Sequence, residues 1–460
     1  MNLCQNRIAA GLDRRAMLQS LAFGFGWTAF NGMAGALPRI DDPLAPKPVH
    51  HPATAKRVIF LYMNGAPSHV DTFDHKPALA NLDGTEYRRN AKLLKSPWTF
   101  RPRGDSGLMI SDLFPEVGSH ADDLCLLRSM KAGIPAHAQA SLQMHTGSFQ
   151  FVRPSMGAWS VYGLGSENEN LPGFVTINPG GGGGAGTYGS GFLPASFQGT
   201  PVALRRNQDV SAAIPNIKNN QHGDEVQRRQ LTLLRQLERE RERRSKNLRG
   251  LEGVLEQYEL AFRMQAEVPD VVDLGTESRK TLEMYGIGEA ATDNFGRQCL
   301  LARRLAEEGV RFIELTAGGW DTHRNMREAL AERCTAVDRP IAGLLADLKQ
   351  RRMLDDTLVI WGGEFGRTPY AQGDDGRDHN ARGFTMWMAG GGVRGGLSYG
   401  STDETGGEAV EDVMDIHDWH ATILHALGMD HERLTFSHSG RDYRLTDVHG
   451  KIHRGIFAAG

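Results

Sequence analysis

The stretch that decides the fold is KRVIFLYMNGAPSHVDTFDHKP, residues 56–77. Residues 57–63 form a continuous apolar run, which is typical of a β-strand buried on both faces of a parallel sheet. The turn sequence NGAPS at 64–68 follows directly and places a polar segment at the carboxyl end of this strand, the edge where open α/β sheets bind ligands. The polar residues of this segment are therefore candidate site residues: Ser68, His69, Asp71 and Asp74.

The second half of the chain alternates predicted helices and strands. Helices are predicted at about 293–308, 337–350 and 418–427, and strands at 310–315, 357–361 and 385–389. Such an alternation implies a mainly parallel sheet that is covered by helices on both faces. The predicted fold class is therefore α/β.

Residues 220–268 interrupt this alternation with a charged segment in which leucines recur at three-, four- and seven-residue steps. This spacing predicts amphipathic helices. The run ERERERR at 238–244 mixes both signs of charge and predicts a solvated helix face. We interpret the segment as a helical insertion, either a lid or a dimer surface. Its acids neutralise its arginines, which argues against a nucleic-acid patch.

The net charge of the chain is too small to attract a polyanionic partner at long range. The formal net charge of −3 gives no global field that would attract nucleic acid or a membrane surface. The chain has 55 glycines, and five of them form the run 180–184 after a strand-like segment at 174–177. This run either cradles an anion with backbone N–H groups or forms a surface loop. The absence of a GxxxxGK[ST] pattern favours the loop.

The N-terminus resembles a twin-arginine (Tat) export signal. Arg14 and Arg15 precede an apolar segment at about 16–36, which ends in the small residues Ala34-Gly35-Ala36. The alternative is a short helix that stays attached. We expect a signal peptide over 1–36, a mature domain over 37–460 in the periplasm or at the cell surface, and no membrane span after signal removal.

The four cysteines are Cys4, Cys125, Cys299 and Cys334. They form no CxxC pair, and the first would be removed with the signal. Their spacing excludes a zinc site built on cysteines and argues against a disulfide framework.

Carboxylates and histidines flank three of the predicted strands in Gly-rich turns: GGWDTH at 318–323, GGEFGRTP at 362–369 and GRDHN at 376–380. Carboxylates and imidazoles together suit zinc, manganese or a similar divalent ion, and glycines let the backbone turn sharply enough to aim them inward. The predicted metal ligands are Asp321, His323, Glu364 and His379, with Asp71 as the next candidate.

Each of these residues also has a plainer interpretation. The Asp-x-His pair could be a capped turn, and Glu364 could be a salt-bridged surface acid. Arg367 could bind a phosphate or sulfate in bidentate fashion or simply neutralise Glu364. The sequence around His145 is typical of a core histidine that is hydrogen-bonded to the backbone. His417 and His420 share a helix face and could be ligands or substrate contacts, or structural histidines like His145.

Together, the strings KRVIFLYMNGAPSHVDTFDHKP, GGWDTH, WGGEFGRTP and GRDHN resemble the DUF1501 family, which is grouped with the alkaline phosphatase/sulfatase superfamily. The resemblance extends over nearly the whole predicted mature chain. It implies an alkaline phosphatase-like fold with one or two divalent metals at the carboxyl edge of the sheet. It also implies hydrolysis or transfer of phosphate or sulfate esters through a Ser, Thr or formylglycine nucleophile.

Carried over residue by residue, the resemblance makes Asp321 and His323 similar to the first Asp/His metal pair of the superfamily, and His379 similar to a later metal-binding histidine. Glu364 stands where the superfamily has an Asp, and Phe365 stands where it has a His.

Two positions depart from the superfamily pattern. Asn64 ends the first strand where a metal-binding Asp is usual, and His137 occupies the position of the nucleophile. His137 is therefore a ligand, a phosphorylatable nucleophile or neither. Ser68 and Ser141 are the neighbouring hydroxyl candidates, although nothing in the sequence activates either one.

We therefore predict an exported metal-dependent hydrolase that acts on a phosphate or sulfate ester, with a small anionic ester or a sulfated or phosphorylated glycan as its partner. The catalytic candidates are His137, Ser68 and Arg367. The alternative is a non-catalytic binding or assembly protein that retains the fold with a degraded site, since a fold by itself does not establish activity.

Overall fold

The computed structural model describes residues 43–88, 91–204, 223–244 and 249–458. The predicted signal segment 1–36 lies outside the described residues. The α-helices within these ranges, numbered in chain order, are α1 His69–Thr72, α2 Pro77–Asn81, α3 Pro115–Gly118, α4 His137–Thr146, α5 Met156–Leu164, α6 Asp224–Arg244, α7 Arg249–Val272, α8 Arg279–Met284, α9 Asp293–Glu307, α10 Met326–Gln350 and α11 Ile416–Ala426.

The strands are equally well spread along the chain, and most of the long ones belong to one central sheet. Their bounds are β1 Arg57–Met63, β2 Glu86–Arg88, β3 Ala91–Lys92, β4 Phe100–Arg103, β5 Leu108–Ser111, β6 Leu124–Lys131, β7 Phe174–Ile177, β8 Thr200–Val202, β9 Phe312–Ala317, β10 Thr357–Gly362, β11 Gly366–Gln372, β12 Gly376–Asn380, β13 Phe384–Ala389, β14 Leu397–Tyr399, β15 Ser401–Thr402, β16 Ala409–Glu411, β17 Met414–Asp415, β18 Phe436–His438 and β19 Arg441–Tyr443.

The central sheet has the strand order β14-β6-β13-β10-β1-β9-β7-β8, and β17 also pairs with β6. The pairs from β10 through β8 are parallel, whereas β13 is antiparallel to both of its neighbours. Because β13 is reversed between β6 and β10, those two strands run in the same direction. The carboxyl ends of β6, β10, β1 and β9 therefore lie at one edge, and the predicted mainly parallel α/β sheet is confirmed.

The two faces of the sheet pack against different helices, as the alternation of side chains along a strand requires. Ile59, Leu61 and Met63 of β1 point into one apolar core, which α7, α9 and α10 cover. Phe60 and Tyr62 point into the other core, which α4, α5 and α11 cover. Both faces of β1 are buried, which explains its uninterrupted apolar sequence.

The predicted helical insertion corresponds to α6 and α7. Five apolar residues from the middle to the end of α7 pack into the first core: Leu260, Met264, Val268, Val271 and Val272. By contrast, Leu233 and Leu237 of α6 are more than half exposed. The second half of α7 is thus part of the domain, and α6 lies further outward.

Some boundaries differ from the sequence prediction. The helix expected at 337–350 begins at Met326, because Leu330 and Cys334 continue its buried stripe through a charged segment. The strand expected at 310–315 spans Phe312–Ala317. Cys125, Cys299 and Cys334 are buried free thiols. In the described ranges, no helix combines the length and the apolar character needed to span a bilayer.

Candidate metal site

Four side chains from three separate segments meet at the carboxyl edge of the sheet. Asp321 and His323 follow β9, His137 is the first residue of α4 after β6, and His379 lies in β12. One ligand atom from each of them lies within 4.8 Å of the other three. The hairpin β11–β12 pairs Arg367 with His379 and thereby carries His379 back to this edge.

One carboxylate oxygen is the centre of the cluster. Asp321 Oδ1 lies 2.9 Å from His323 Nε2, 3.2 Å from His137 Nε2 and 3.3 Å from His379 Nε2. The Nε2 atoms of His323 and His379 are themselves 2.9 Å apart. Three imidazole rings therefore direct the same nitrogen atom toward one point.

The opposite nitrogen of each ring contacts an oxygen atom. His137 Nδ1 lies 2.5 Å from Glu364 Oε1, and His379 Nδ1 lies 2.9 Å from the carbonyl oxygen of Pro135. His323 Nδ1 contacts the side-chain oxygen of Gln372. The oxygen atoms of Pro135 and Gln372 only accept hydrogen bonds, so the Nδ1 atoms of His379 and His323 are donors, and the neutral Nδ1–H tautomer of a ring leaves a lone pair on Nε2.

This arrangement fits a cation. In this tautomer three Nε2 lone pairs and a carboxylate oxygen would face one another, and a cation between them would replace their repulsion with attraction. Three imidazoles and one carboxylate form a donor set that zinc and manganese accept. Metal-binding histidines usually donate the other ring nitrogen to a carboxylate or carbonyl, as these rings do. The residues present therefore fit a divalent metal ion.

Glu364 lies behind His137 and not among the four clustered ligand atoms. Its carboxylate is fully buried and accepts hydrogen bonds from the backbone N–H of Gly65 at 3.0 Å and from the Tyr62 hydroxyl at 3.0 Å. Tyr62 in turn contacts Ser141 Oγ at 2.7 Å and accepts from Asn64 Nδ2 at 3.3 Å. The geometry thus gives Glu364 an orienting position, whereas the sequence predicted a direct ligand.

The surroundings shift the pKa values of the clustered groups in different directions. Burial lowers the pKa of His137, but the hydrogen bond to Glu364 and the charges of Glu364 and Asp321 outweigh burial and raise it overall. Burial lowers the pKa of His379. Burial raises the pKa of Asp321, but the Arg367 guanidinium outweighs this and lowers it to about 2. Asp321 is therefore ionised at neutral pH.

Arg367 is fully buried next to the cluster. Its Nη2 donates to Asp321 Oδ1 at 2.6 Å and also to the carbonyl of Gly65, and its Nε donates to the carbonyl of Ala66 at 2.9 Å. The side chain predicted to bind substrate or to neutralise Glu364 instead holds Asp321 in place. The described partners of this guanidinium are thus Asp321 and backbone carbonyls.

Phe365 is buried beside two of the rings. Its ring centroid lies 4.8 Å from that of His137 and 4.8 Å from that of His379. The aromatic side chain therefore limits the rotation of both imidazoles by packing.

Asp71 and Ser68 are not brought into the cluster. Asp71 is fully buried and forms a two-bond ion pair with Arg377, and Ser68 Oγ donates to Asp71 Oδ2 at 2.5 Å. The sequence did not single out Arg377, although it lies in the quoted GRDHN string. Tyr62 and Gln372 were also missed, because nothing in their local sequence distinguishes them from ordinary strand residues.

The remaining histidines of interest contact the backbone or a buried acid. His145 Nδ1 donates to Ser141 O at 2.7 Å, and its Nε2 lies 3.3 Å from Glu314. His417 and His420 donate to the carbonyls of Gly147 and Met144, at 2.9 and 2.7 Å. Both residues therefore tie α11 to the C-terminal part of α4.

His420 makes the stability of the protein sensitive to acid. Burial lowers the pKa of this fully buried ring to about 3, whereas the unfolded chain has a histidine pKa of about 6.5. Below pH 6.5 the unfolded state binds a proton that the folded state does not, so acid favours unfolding. We expect the His420 contribution to the free energy of unfolding to fall by up to about 1.4 kcal/mol per pH unit between pH 6.5 and about 3.

Urea denaturation of the protein and of His420→Gln at pH 7, 6, 5 and 4 measures this contribution. Other titrating groups act equally on both proteins, so the variant should lose stability less steeply as the pH falls. Identical slopes for the two proteins would contradict the assignment.

The sheet and the clustered side chains define this chain as a mainly parallel α/β protein with a candidate divalent-metal centre at the carboxyl edge of its sheet. Residues 55–457 match the family model described as "Protein of unknown function (DUF1501)". The chain therefore belongs to the DUF1501 family. No curated protein matches it.

Several solved structures are distantly similar. PsFucS1 sulfatase from Pseudoalteromonas sp. has 12% identity and a TM-score of 0.35, over 90% of this chain and 72% of that chain. The lipoteichoic acid synthase LtaP from Listeria monocytogenes has 9% identity and a TM-score of 0.34, over 84% and 76%. Alkaline phosphatase from the Antarctic bacterium TAB5 has 10% identity and a TM-score of 0.30, over 74% and 92%. Similarity this low carries no argument about activity.

Proposed function

We propose that this protein is a metal-dependent hydrolase of phosphate or sulfate esters, with His137, Asp321, His323 and His379 as the metal ligands. The observation that carries the proposal is the convergence of three Nε2 atoms on Asp321 Oδ1 while each Nδ1 contacts an oxygen atom. The twin arginine at Arg14 and Arg15 supports export by the Tat route, which delivers folded proteins with their metal already bound.

The surroundings of the cluster suit an anionic ester. His137 begins the ten-residue helix α4, and the N-cap residue Ala136 provides no side-chain cap. The partly positive helix end therefore faces the cluster and favours a negative group there. A divalent ion bound at this point would polarise an ester oxygen and lower the pKa of water. Glu364 would keep the proton of His137 on Nδ1, so that Nε2 stays available.

We assign the attacking group to water. Of the two serine candidates, Ser68 is fully buried and donates to Asp71, and Ser141 is buried against Tyr62. Water adds to the phosphorus or sulfur atom, and the bond from that atom to the ester oxygen breaks. One proton of the water leaves with the alcohol and the other with the inorganic anion, or is released from it to solvent.

The second candidate function is that of a non-catalytic binding or assembly protein. Asn64 favours it, because this residue directly follows β1 at the position where the superfamily has a metal-binding Asp, and its amide instead donates to Tyr62. A protein of this kind would retain the fold and would bind an anion without turning it over.

Hydrolysis of aryl esters separates the two functions. The untagged protein should be loaded with zinc or with manganese and offered 4-nitrophenyl phosphate and 4-nitrophenyl sulfate. Release of nitrophenol that stops on chelation and returns with metal supports the hydrolase. Stoichiometric metal without turnover of either ester would leave the binding protein as the better account.

Replacement of Glu364 by glutamine tests the orienting contact. The amide keeps the size of the side chain but removes the charge opposite His137 Nδ1, and a change of this kind next to a ligand typically costs about 10- to 100-fold in metal affinity. Competition with a chromogenic chelator measures the dissociation constant. Glu332→Gln, at an exposed position on α10, is the matched control and should bind metal as the wild type does. If the wild type and both variants bound metal with equal affinity, Glu364 would have no part in metal binding.

A further inference from the structure

A cleft extends from the metal cluster along the segment between β6 and α4. Its first cavity has a volume of about 400 Å³ and includes His379 in its wall. A second cavity of about 350 Å³ lies next to the first. Both cavities are lined by Lys131, Ala132 and Gly133, so the two form one elongated cleft that opens onto the cluster.

The first cavity is cationic. Lys131 and Arg382 line it, and none of its lining residues is an Asp or Glu. Arg382 is paired with Glu408, whereas no salt bridge among the described residues involves Lys131, which is exposed. An anionic group next to His379 would therefore meet the ammonium group of Lys131, and a charge-assisted hydrogen bond of this kind is stronger than a neutral one.

The first cavity also has an aromatic wall. The rings of Tyr87 and Tyr370 line it, with centroids 5.8 Å apart and planes inclined by 26°. Nearly parallel tyrosine rings present apolar faces together with hydroxyl groups. A sugar ring has the matching surface, because its C–H groups form an apolar face and its hydroxyls lie around the rim.

The second cavity has a different character. Asp415, His417, Asp418 and His449 line it together with Lys131, so that two carboxylates face one ammonium group. Carboxylates repel a second anionic group but accept hydrogen bonds from hydroxyls, and imidazoles can accept or donate them. A chain with a charge on every unit, such as a nucleic acid, would be disfavoured here, whereas an uncharged sugar would be accepted.

We propose that this cleft binds an acidic oligosaccharide, with an ester-bearing sugar in the first cavity and a neutral sugar in the second. Lys131 contacts the anionic ester group, and Tyr87 and Tyr370 pack against the sugar ring that carries this ester. His449 and the other polar residues of the second cavity contact hydroxyl groups of the next sugar. The inference deepens the proposed hydrolase function by naming its substrate class, and it rests on that function only for the cleavage of the ester.

Titration calorimetry with the metal-loaded full chain tests the binding directly. The probes are a chondroitin sulfate tetrasaccharide, the same chain after chemical desulfation, and a single sulfated N-acetylgalactosamine. Lys131→Ala should raise the dissociation constant of the sulfated tetrasaccharide about tenfold, as expected for loss of a hydrogen bond to a charged group. His449→Ala should weaken the tetrasaccharide but not the single sugar. Lys92→Ala, an exposed lysine outside the cleft, is the control and should bind like the wild type.

The possible results distinguish the proposal that the cleft binds an oligosaccharide from the proposal that the protein hydrolyses esters. Binding of the sulfated chain that depends on Lys131, without any hydrolysis of aryl esters, would support the cleft and refute the hydrolase. Metal-dependent hydrolysis of aryl esters, together with equal affinity for sulfated and desulfated chains or no affinity for either, would overturn the cleft and leave the hydrolase standing.

Discussion

Asp321→Ala is expected to reduce the metal content of the purified protein from about one equivalent to less than about 0.1. The reason is geometric, since the Nε2 atoms of His137, His323 and His379 all lie within 3.3 Å of Asp321 Oδ1. Without this carboxylate the site loses its central ligand, and the buried Arg367 guanidinium loses its counter-ion, so an unpaired positive charge lies beside the three neutral imidazoles and repels the ion. Elemental mass spectrometry of untagged protein, purified without a chelator, provides the measurement.

Two further variants make this result specific. Asp374→Ala removes an exposed carboxylate from the turn between β11 and β12 and should keep the full metal content. Asp321→Asn retains an oxygen that can accept from Arg367, so the buried guanidinium keeps a partner and the fold is less disturbed. If Asp321→Ala and Asp321→Asn both retained one equivalent of metal, the cluster would not be the metal site.

The sequence predicts the fold well where burial determines the pattern. The run at 57–63 coincides with β1 because both faces of that strand are buried, which is the setting in which parallel strands are apolar throughout. The start of β9 is less well predicted, since Val310 is apolar and buried and Arg311 is also buried, although neither belongs to the strand. The sequence predicts a strand at 385–389, close to the bounds of β13, but its antiparallel direction has no local signal, because strand direction depends on long-range pairing.

The candidate site could be predicted only in part, for a similar reason. Asp321 and His323 are candidates because a Gly-rich turn follows a predicted strand, and the carboxyl ends of parallel strands meet at one sheet edge. His379 precedes the strand predicted at 385–389, and it reaches the same edge because β13 runs antiparallel to β10 and β6. The direction of each carboxylate depends on partners that are distant in sequence. Glu364 faces Tyr62 and Gly65 of the first strand and its turn, and sequence spacing does not reveal that contact.

The second large effect concerns the buried ion pair between Asp71 and Arg377. Both side chains are fully buried, with Nε–Oδ2 and Nη2–Oδ1 distances of 2.7 and 3.1 Å. Arg377 also donates to the carbonyls of Leu94 and Thr368 at 3.0 and 3.1 Å. The pair therefore connects α1 to the hairpin β11–β12, which carries His379.

Asp71→Ala should lower the free energy of unfolding by about 3–5 kcal/mol, because it leaves a buried guanidinium without its counter-ion. The double variant Asp71→Leu/Arg377→Met should recover much of that loss, since two apolar side chains of similar size need no partner. Urea denaturation measures both effects. An Asp71→Ala protein as stable as the wild type would contradict the structural role of the pair.

Metal content decides between the two interpretations of Asp71. As an ion-pair partner it should affect stability alone, so the folded variant should retain the same metal content as the wild type. As a ligand, which the sequence suggested, its removal should lower the metal content with little loss of stability. A carboxylate that already accepts two hydrogen bonds from Arg377 and one from Ser68 has few lone pairs left for an ion, so the structure favours the first outcome.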